Sequence, residues 1–261
     1  MIAMLRQLSR HRDLLYMLSR RDITVKYKQS IMGFLWAILM PLLITSAGVV
    51  VKIAMAQMSG KAVVFTDVLP VAIKAAPWAF FVASLRFSTQ SLSGNYHLVT
   101  KIAFPRVVFP LSSVASQLFD FAIASAVIFV LVLFAPVPAT IHLLWVPVLI
   151  ALLVAQVVGL ALLLSAANLF FRDVKYLVEV VLTFAIFFTP VFYSVALFGD
   201  RGKLLMLNPV APILEGLDAV IVQGHAPDPA WTLYAAAWAI GLLLVTPAIF
   251  MRLEPKFAES V

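Results

Sequence analysis

The sequence predicts an all-α membrane protein with six transmembrane helices, an N-terminal amphipathic interface helix and a re-entrant helical hairpin between helices 5 and 6. Three observations support this: an extreme composition, six apolar segments of spanning length, and an uneven distribution of Lys and Arg. Hydrophobic residues make up 63% and charged residues 12% of the 261 residues, whereas a soluble domain is roughly half apolar and about a quarter charged. The mean hydropathy of +1.05 indicates more apolar surface than one water-soluble core can bury.

The first 32 residues are predicted to form an amphipathic segment at the membrane surface. Met4, Leu8, His11, Leu15 and Leu18 recur at helical spacing among basic residues, which is typical of a helix lying in the interface plane. Seven of the 19 Lys and Arg residues precede the first apolar span, an excess that marks the cytoplasmic side. No apolar core with a small-residue cleavage site follows the initial Met, so we expect no removable signal peptide.

Six segments reach the roughly 20 apolar residues that a helix needs to cross the hydrocarbon. They are residues 33–56, 69–92, 107–134, 143–167, 177–196 and 231–251. Together they define one predicted membrane domain over 33–251, followed by a tail over 252–261. With a cytoplasmic N-terminus, 13 of the 19 basic residues fall inside and three outside. The positive-inside rule therefore predicts that both termini are cytoplasmic.

The segment 203–224 is apolar and nearly long enough to cross, but a seventh crossing would place the last basic residues outside. It also carries residues that are costly in lipid, namely Pro209, Pro212, Glu215 and Asp218. We expect two short re-entrant helices on the outer face, with Asn208 capping the first and Pro209 at its first helical position. Irregular backbone at membrane depth is tolerated only inside protein or along a cavity, so the hairpin is predicted to lie over a pathway.

The basic segment passes without a break into the first span, in the order Arg20-Arg21-Asp22, Lys26-Tyr27-Lys28-Gln29-Ser30, then Gly33 and Trp36. This order resembles the start of the first transmembrane helix in permease subunits of type-2 ABC exporters of lipid-linked polysaccharide (O-antigen, capsule, teichoic acid). The spans, the first cytoplasmic loop, an Arg172-Asp173-Val174 sequence and the Asn208-Pro209 hairpin extend the resemblance over nearly the whole chain. It implies a multi-pass protein of the bacterial inner membrane that exports undecaprenyl-linked polysaccharide, with O-antigen the first choice.

The first cytoplasmic loop is too apolar for a free linker, and residues 96–103 have the length of about two helical turns before Pro105. Under the resemblance this segment is the coupling helix that contacts the ATPase. Its predicted contact residues are Tyr96, His97, Leu98, Val99, Thr100 and Lys101. The alternative is an interfacial helix resting on lipid, and charge alone does not separate the two.

The resemblance also favours a functional role for the end of the basic segment. The residues predicted to line the cytoplasmic mouth are Arg20, Arg21, Lys26, Tyr27 and Lys28. Their basic members are candidate contacts for a lipid diphosphate, and the alternative role is a simple membrane-surface anchor. The loop over 172–175 is expected to fix topology and to contact the ATPase.

Aromatic residues cluster in and just after the fifth span. Phe184, Phe188 and Phe192 share one helical face at i+4 spacing, and Tyr193 follows them. The resemblance implies that these four residues form a path along which sugar rings slide. The alternative is ordinary helix packing and lipid anchoring.

Two charged residues lie deep within the predicted spans. Measured at about 1.5 Å per residue, Asp120 lies roughly 20 Å from the inner boundary, Lys74 about 27 Å and Arg86 about 9 Å. The spacing slightly favours Lys74 as the partner of Asp120. Because a buried carboxylate faces a partner or a water path, a structural ion pair is preferred over substrate contact.

The sequence offers no catalytic or nucleotide-binding constellation. It lacks a phosphate-loop motif and cysteine, and its four histidines are scattered. We therefore expect no enzyme, no metal site and no cofactor on this chain, with ATP and Mg²⁺ bound by a separate ABC ATPase dimer. One subunit has too few helices for a wide channel, so a homodimer is the expected assembly.

The expected partners are thus a second copy of the chain, the ATPase, lipid-linked polysaccharide and membrane lipids. No soluble basic domain is left over for nucleic acid. Two alternative functions stay open: a type-2 ABC permease for a drug or other small lipophile, and a membrane-embedded transferase that uses a polyprenyl carrier.

Overall fold

The computed structural model describes residues 2–28, 33, 35–59, 65–101 and 104–258. Every regular element in these ranges is helical. The α-helices are α1 Ile2–Arg10, α2 Arg12–Lys28, α3 Leu35–Ser59, α4 Phe65–Thr89, α5 Ser91–Gly94, α6 Tyr96–Lys101, α7 Val108–Leu133, α8 Trp145–Phe170, α9 Val174–Ala185, α10 Gly202–Leu205, α11 Ala211–Ile221 and α12 Pro229–Leu253. Short 3-10 turns occupy Ile141–Leu144, Ile186–Phe188, Val195–Arg201 and Glu254–Ala258.

Five helices in the described ranges are long and apolar enough to cross a membrane, namely α3, α4, α7, α8 and α12. Each coincides with a predicted span to within a few residues at either end. A helix satisfies all backbone hydrogen bonds within its own segment, as an apolar solvent requires. The chain is therefore a multi-pass membrane protein.

The fifth predicted span, 177–196, does not continue as one helix. α9 ends at Ala185 after 12 residues, a 3-10 turn follows, and Thr189 is extended with φ −118° and ψ 132°. Pro190 explains the break, because the residue before a proline is disfavoured in the helical region and proline has no N–H to donate. The prediction of one continuous helix over 177–196 is therefore wrong.

The largest hydrophobic core surrounds α4. This helix packs against α3, α7, α8, α9 and α11, and most of its spanning length is buried. Trp78 and Phe80 of α4 share this core with Leu153 of α8 and Leu214 of α11. By contrast, α3 packs against α4 and α7 and leaves most of its surface exposed.

A second core lies where the two ends of the chain meet. Leu18 of α2, Phe109 of α7, Leu162 of α8 and Phe257 of the C-terminal turn are buried together. We name this region the basic end, comprising residues 2–28, 91–109, 170–175 and 250–258, after its many Arg and Lys residues. The opposite region, residues 195–228, is the hairpin end.

Two glycines allow close helix packing in the bundle. A Cβ atom at Gly159 of α8 would lie 2.6 Å from the Cβ of Leu242 in α12. A Cβ atom at Gly48 of α3 would lie 2.4 Å from Cγ1 of Val71 in α4. Small residues at such positions let helix backbones approach each other closely within a membrane.

At the hairpin end, two short helices, α10 and α11, occupy the range of the predicted hairpin. α10 ends at Leu205, and α11, the second helix, begins at Ala211 with Pro212 in its first turn. The prediction that Asn208 and Pro209 begin the first helix is therefore wrong. The side-chain carbonyl of Asn208 accepts a hydrogen bond from the Val210 N–H at 3.2 Å. Asn208 therefore stabilises the turn before α11, and no side chain caps the helix itself.

The N-terminal segment does not simply lie along a membrane surface. α2 packs on α7, where the Ser112 hydroxyl donates to Asp22 at 3.2 Å and the Lys26 ammonium donates to Gln117 at 3.3 Å. The order of these contacts shows that α2 and α7 run in the same direction. The end of α2 is therefore part of the helix bundle.

Candidate functional site

A cavity of about 450 Å³ lies between the end of α2 and helices α3, α4, α7 and α9. Most of its lining residues are apolar. The aromatic ones are Trp36, Trp78, Phe80, Phe87 and Phe121, and the polar ones are Lys26, Arg86, Gln117, Asp120 and Thr183. The cavity therefore combines a hydrophobic wall with two cations and one carboxylate.

Lys26, Tyr27 and Asp120 form a cluster at this cavity. The Lys26 ammonium pairs with one carboxylate oxygen of Asp120, and the Tyr27 hydroxyl donates to the other. The Asp120 side chain is 14% exposed and that of Lys26 is 30% exposed. Asp120 lies 12 residues after the start of α7, or about 18 Å along the helix. The pair thus carries compensating charges deep in the bundle, and both residues line the cavity.

Tyr27 is held in its neutral form by this environment. Burial, and then the hydrogen bond and negative charge of Asp120, raise the pKa of the Tyr27 hydroxyl above its ordinary value. Its ring packs edge-on against Phe119 of α7, with ring centroids 6.3 Å apart. Tyr27 therefore remains a hydrogen-bond donor that fastens α2 to α7.

A second ion pair closes the other side of the cavity. A guanidinium nitrogen of Arg86 in α4 lies 2.7 Å from a carboxylate oxygen of Glu179 in α9. Both side chains are partly exposed. The pair links α4, the most buried of the five long helices described, to the interrupted helix α9.

The predicted mouth residues divide into two groups. Lys26 and Tyr27 face Asp120, whereas Arg20, Arg21 and Lys28 are exposed. Arg21 also pairs with Asp22 at 2.8 Å. Of the five predicted mouth residues, the exposed group alone presents cations outward from α2.

The predicted coupling helix is present as α6, and its last two predicted residues, 102 and 103, lie outside the described residues. Tyr96 and His97 are exposed, with their rings 5.2 Å apart. Leu98 is partly buried against the core of the basic end. The side chains of Val99, Thr100 and Lys101 lie outside the described side chains.

The predicted aromatic face is broken by the irregular backbone after α9. Phe184 and Phe188 are exposed, whereas Phe192 packs partly buried against the central core. The Tyr193 hydroxyl donates to the Phe187 carbonyl at 2.7 Å. The expected i+4 face is therefore wrong beyond Phe188, because the break at Thr189-Pro190 ends helical periodicity.

Lys74 and Asp120 do not pair with each other, contrary to the slight preference drawn from their depth. Lys74 is 2% exposed and lies 2.6 Å from a carboxylate oxygen of Glu215 and 3.9 Å from one of Asp218. It also donates to the Tyr193 carbonyl at 3.3 Å. The predicted pairing used only the depth of each side chain along its own helix. It did not take into account the charged residues that α2 and α11 place beside Asp120 and Lys74.

The loop with Arg172 and Asp173 joins two parts of the basic end. The Lys175 N–H donates to the Asn168 side-chain carbonyl at 3.0 Å, and the Asn168 amide donates to Ser93 at 3.1 Å. Arg172 and Asp173 are exposed. The loop is thereby fixed beside α5.

Sequence reasoning missed four polar partners, namely Gln117, Glu179, Glu215 and Asp218. The acids of α11 carried a usable signal, because two carboxylates in an apolar segment require a buried cation. Glu179 and Gln117 carried none. Within the described residues, no group of three or more His, Cys, Asp or Glu side chains could hold a metal ion.

Comparison with known proteins gives the family. No family model matches the chain. It is 30% identical over 265 residues to a Myxococcus xanthus protein named O-antigen export system permease protein RfbA, with 100% of both chains covered. Two Klebsiella pneumoniae proteins of the same name are 27% identical, covering 95% of this chain and 94% of each relative. Full-length identity at this level shows that the chain belongs to the family of O-antigen export system permeases.

Proposed function

We propose that the chain is the permease half of an ATP-driven exporter that moves undecaprenyl-linked O-antigen from the cytoplasm across the inner membrane. The observation that carries the proposal is the full-length identity to a protein named as an O-antigen export system permease. The cavity supports it, because apolar walls with Lys26 and Arg86 suit an amphiphile with an anionic head. The names of the relatives favour this function over export of a small lipophile or over glycosyl transfer.

The proposed topology has six crossings with both termini in the cytoplasm. Residues 1–32 form the cytoplasmic gate segment, 33–251 the membrane domain and 252–261 the tail. α9 and its irregular continuation make the fifth crossing, and 203–224 re-enters from the outer face. The location of most basic residues at the basic end supports this orientation.

Cysteine labelling tests the topology, because the natural chain contains no cysteine. In intact cells freed of their outer membrane, we expect a membrane-impermeant maleimide to label Lys203→Cys and to leave Lys256→Cys unlabelled. Permeabilised cells serve as the control in which both are labelled. Labelling of Lys256→Cys in intact cells contradicts the topology.

In the proposed assembly, two copies of the permease form the channel and a separate ABC ATPase dimer binds ATP and Mg²⁺. α6 is the proposed ATPase contact, supported by its exposed Tyr96 and His97. Leu98→Pro, which disrupts this helix, is expected to abolish co-purification with the ATPase. Co-purification of that variant at the wild-type level contradicts the contact.

The gate mechanism follows from the two groups of residues on α2. Arg20, Arg21 and Lys28 are exposed and meet the diphosphate first, since charge-assisted bonds to phosphate are strong. The diphosphate then replaces Asp120 as a partner of Lys26 at the cavity. Phe184 and Phe188, together with Phe192 and Tyr193, contribute to the sugar path beyond the gate.

Reconstituted export tests the function. Proteoliposomes carrying the permease and its ATPase, with the cytoplasmic face outward, are expected to take up lipid-linked O-antigen only when ATP is present. Replacing Arg20, Arg21 and Lys28 by Gln removes charge-assisted contacts and is expected to lower the rate about tenfold or more. ATP-independent glycosyl transfer by the permease alone contradicts the proposal.

A matched triple variant controls for total charge. Arg6, Arg10 and Arg12 are exposed basic residues earlier in the same segment. Replacing these three by Gln removes the same charge and is expected to leave the rate within about twofold. Equal losses in the two triple variants contradict a specific role for the gate group.

A further inference from the structure

The start of α7 and the end of α12 are joined by a reciprocal pair of hydrogen bonds. The backbone N–H of Arg106 donates to the Glu254 carboxylate at 2.7 Å, and the Arg106 guanidinium donates to the Glu254 backbone carbonyl at 2.6 Å. The two residues are 148 positions apart in the chain. Each residue thus supplies a side chain to the backbone of the other.

This arrangement gives partners to a backbone carbonyl at the end of α12 and to a backbone N–H just before α7. The first N–H groups and the last carbonyls of a helix have no partner within the helix. No side chain from its own first turn caps α7. A carboxylate at a helix N-terminus and a cation at a helix C-terminus both interact favourably with the helix dipole. Glu254 therefore holds the N–H of Arg106 two residues before α7, and Arg106 caps the carbonyl of Glu254 at the end of α12.

The turn that carries Glu254 is also held by a hydrophobic anchor. Phe257 is 0% exposed. Its ring centroid lies 5.2 Å from that of Phe250 in α12 and 5.7 Å from that of Phe170 at the end of α8. α6 packs beside the same turn, Glu254–Ala258. The C-terminal turn therefore touches α6, α7, α8 and α12 at one place.

We infer that the turn Glu254–Ala258 is a positioning element that fixes α6 to α12, so that the ATPase displaces both together. This inference rests on the proposed function, in which α6 receives the force. Without the turn, a displacement of α6 reaches α12 only through the intervening helices of the bundle. In this role, Glu254 and Phe257 position α6 and α12 and do not contact the substrate.

Export per ATP hydrolysed is the quantity that tests the inference. In the reconstituted permease–ATPase complex, Glu254→Ala is expected to lower export per ATP about fivefold, as for one lost hydrogen bond, while the complex still assembles and hydrolyses ATP. Glu254→Gln keeps an acceptor of the same reach and is expected to retain most of the wild-type ratio. Phe257→Ala is expected to lower export per ATP to the same extent as Glu254→Ala. Arg252→Gln changes an exposed residue of the same segment and is expected to keep the wild-type ratio.

A cross-link distinguishes a rigid tie from a contact that must open. The chain has no other cysteine, so Arg106→Cys with Glu254→Cys removes the hydrogen bonds and permits a single flexible bifunctional thiol cross-link. We expect the variant without the cross-link to show a low ratio of export to ATP hydrolysed. After cross-linking, the ratio is expected to return to the wild-type value. If cross-linking stops export, the turn has to separate from α7 and the inference is wrong.

Failure of the inference and failure of the proposed function give different results. Wild-type complexes without ATP-dependent export contradict the proposed function. Active wild-type complexes with an unchanged export-to-ATP ratio in Glu254→Ala contradict the inference alone. If Glu254→Ala does not accumulate, the cysteine pair decides, since its ratio is compared with and without the cross-link in one preparation.

Discussion

The two charge clusters of the bundle use similar groups in different surroundings. Around Lys74, one ammonium group serves Glu215 and Asp218, and the lysine side chain is almost completely buried. Around Asp120, one carboxylate serves Lys26 and Tyr27 at the edge of a cavity. The first cluster fixes α11 to α4, whereas the second has space beside it for another anion to enter.

Burial decides how costly each cluster is to disrupt. Removing one partner of a fully buried ion pair leaves an uncompensated charge and costs about 3–5 kcal/mol. A partly exposed pair costs less, because water reaches the remaining charge. The Lys74 cluster is therefore suited to a permanent contact near the hairpin end. The Asp120 cluster is suited to a contact near the gate in which one partner is replaced by another.

The largest expected effect comes from Lys74→Met, which keeps the side-chain length and removes the cation. We expect the free energy of unfolding to fall by about 3–5 kcal/mol, because two carboxylates lose their shared partner. A lower unfolding midpoint in detergent measures this loss. Combining it with Glu215→Gln and Asp218→Asn is expected to recover most of the loss.

The control for this prediction is Lys203→Met. Lys203 pairs with Asp200 at 3.1 Å, but both side chains are largely exposed, so no measurable change of the midpoint is expected. A similar loss in the two lysine variants would show that burial does not set the difference between them.

Asp120→Asn is expected to have an intermediate effect. It removes the charge partner of Lys26, and α2 loosens from α7, so trypsin cleaves faster after Arg20 and Arg21. The loss of stability is expected to be about 1–3 kcal/mol. Asp13→Asn, at a side chain 90% exposed, provides the control with unchanged cleavage. A loss as large as that of Lys74→Met contradicts the comparison.

Tyr27→Phe is expected to have the smallest effect. It removes one hydrogen bond to Asp120 and keeps the ring contact with Phe119, so the expected destabilisation is about 0.5–1.5 kcal/mol. Unfolding midpoints of Tyr27→Phe, Asp120→Asn and the double variant measure the coupling. Additive losses would show that the two residues do not act through one hydrogen bond.

The five long helices were predictable because apolar length alone determines them. The helix ends deviate by a few residues, since α3 continues to Ser59 and α4 begins at Phe65. The failed fifth span also carried a warning in Thr189-Pro190, where proline opposes a continuous helix. The apolar length of 177–196 concealed that signal.

The charge partners were not predictable, because they join residues far apart in the chain. Lys26 and Asp120 are 94 positions apart, and Lys74 and Glu215 are 141 apart. Hydropathy gives the level of a residue in the membrane but not its neighbour on an adjacent helix. Lys26 was assigned to the cytoplasmic mouth and was not weighed as a partner of Asp120.

The distance along the chain between Lys74 and Glu215 has a consequence during synthesis. At roughly 5–20 residues per second, the ribosome needs about 7–30 s to make the intervening 141 residues. Throughout this time α4 holds a lysine without its acidic partner, at an insertion cost of about 2.5–3.5 kcal/mol for a central position. Nascent chains that stop before residue 215 therefore cannot complete the bundle, and we expect them to be preferred targets of membrane proteases.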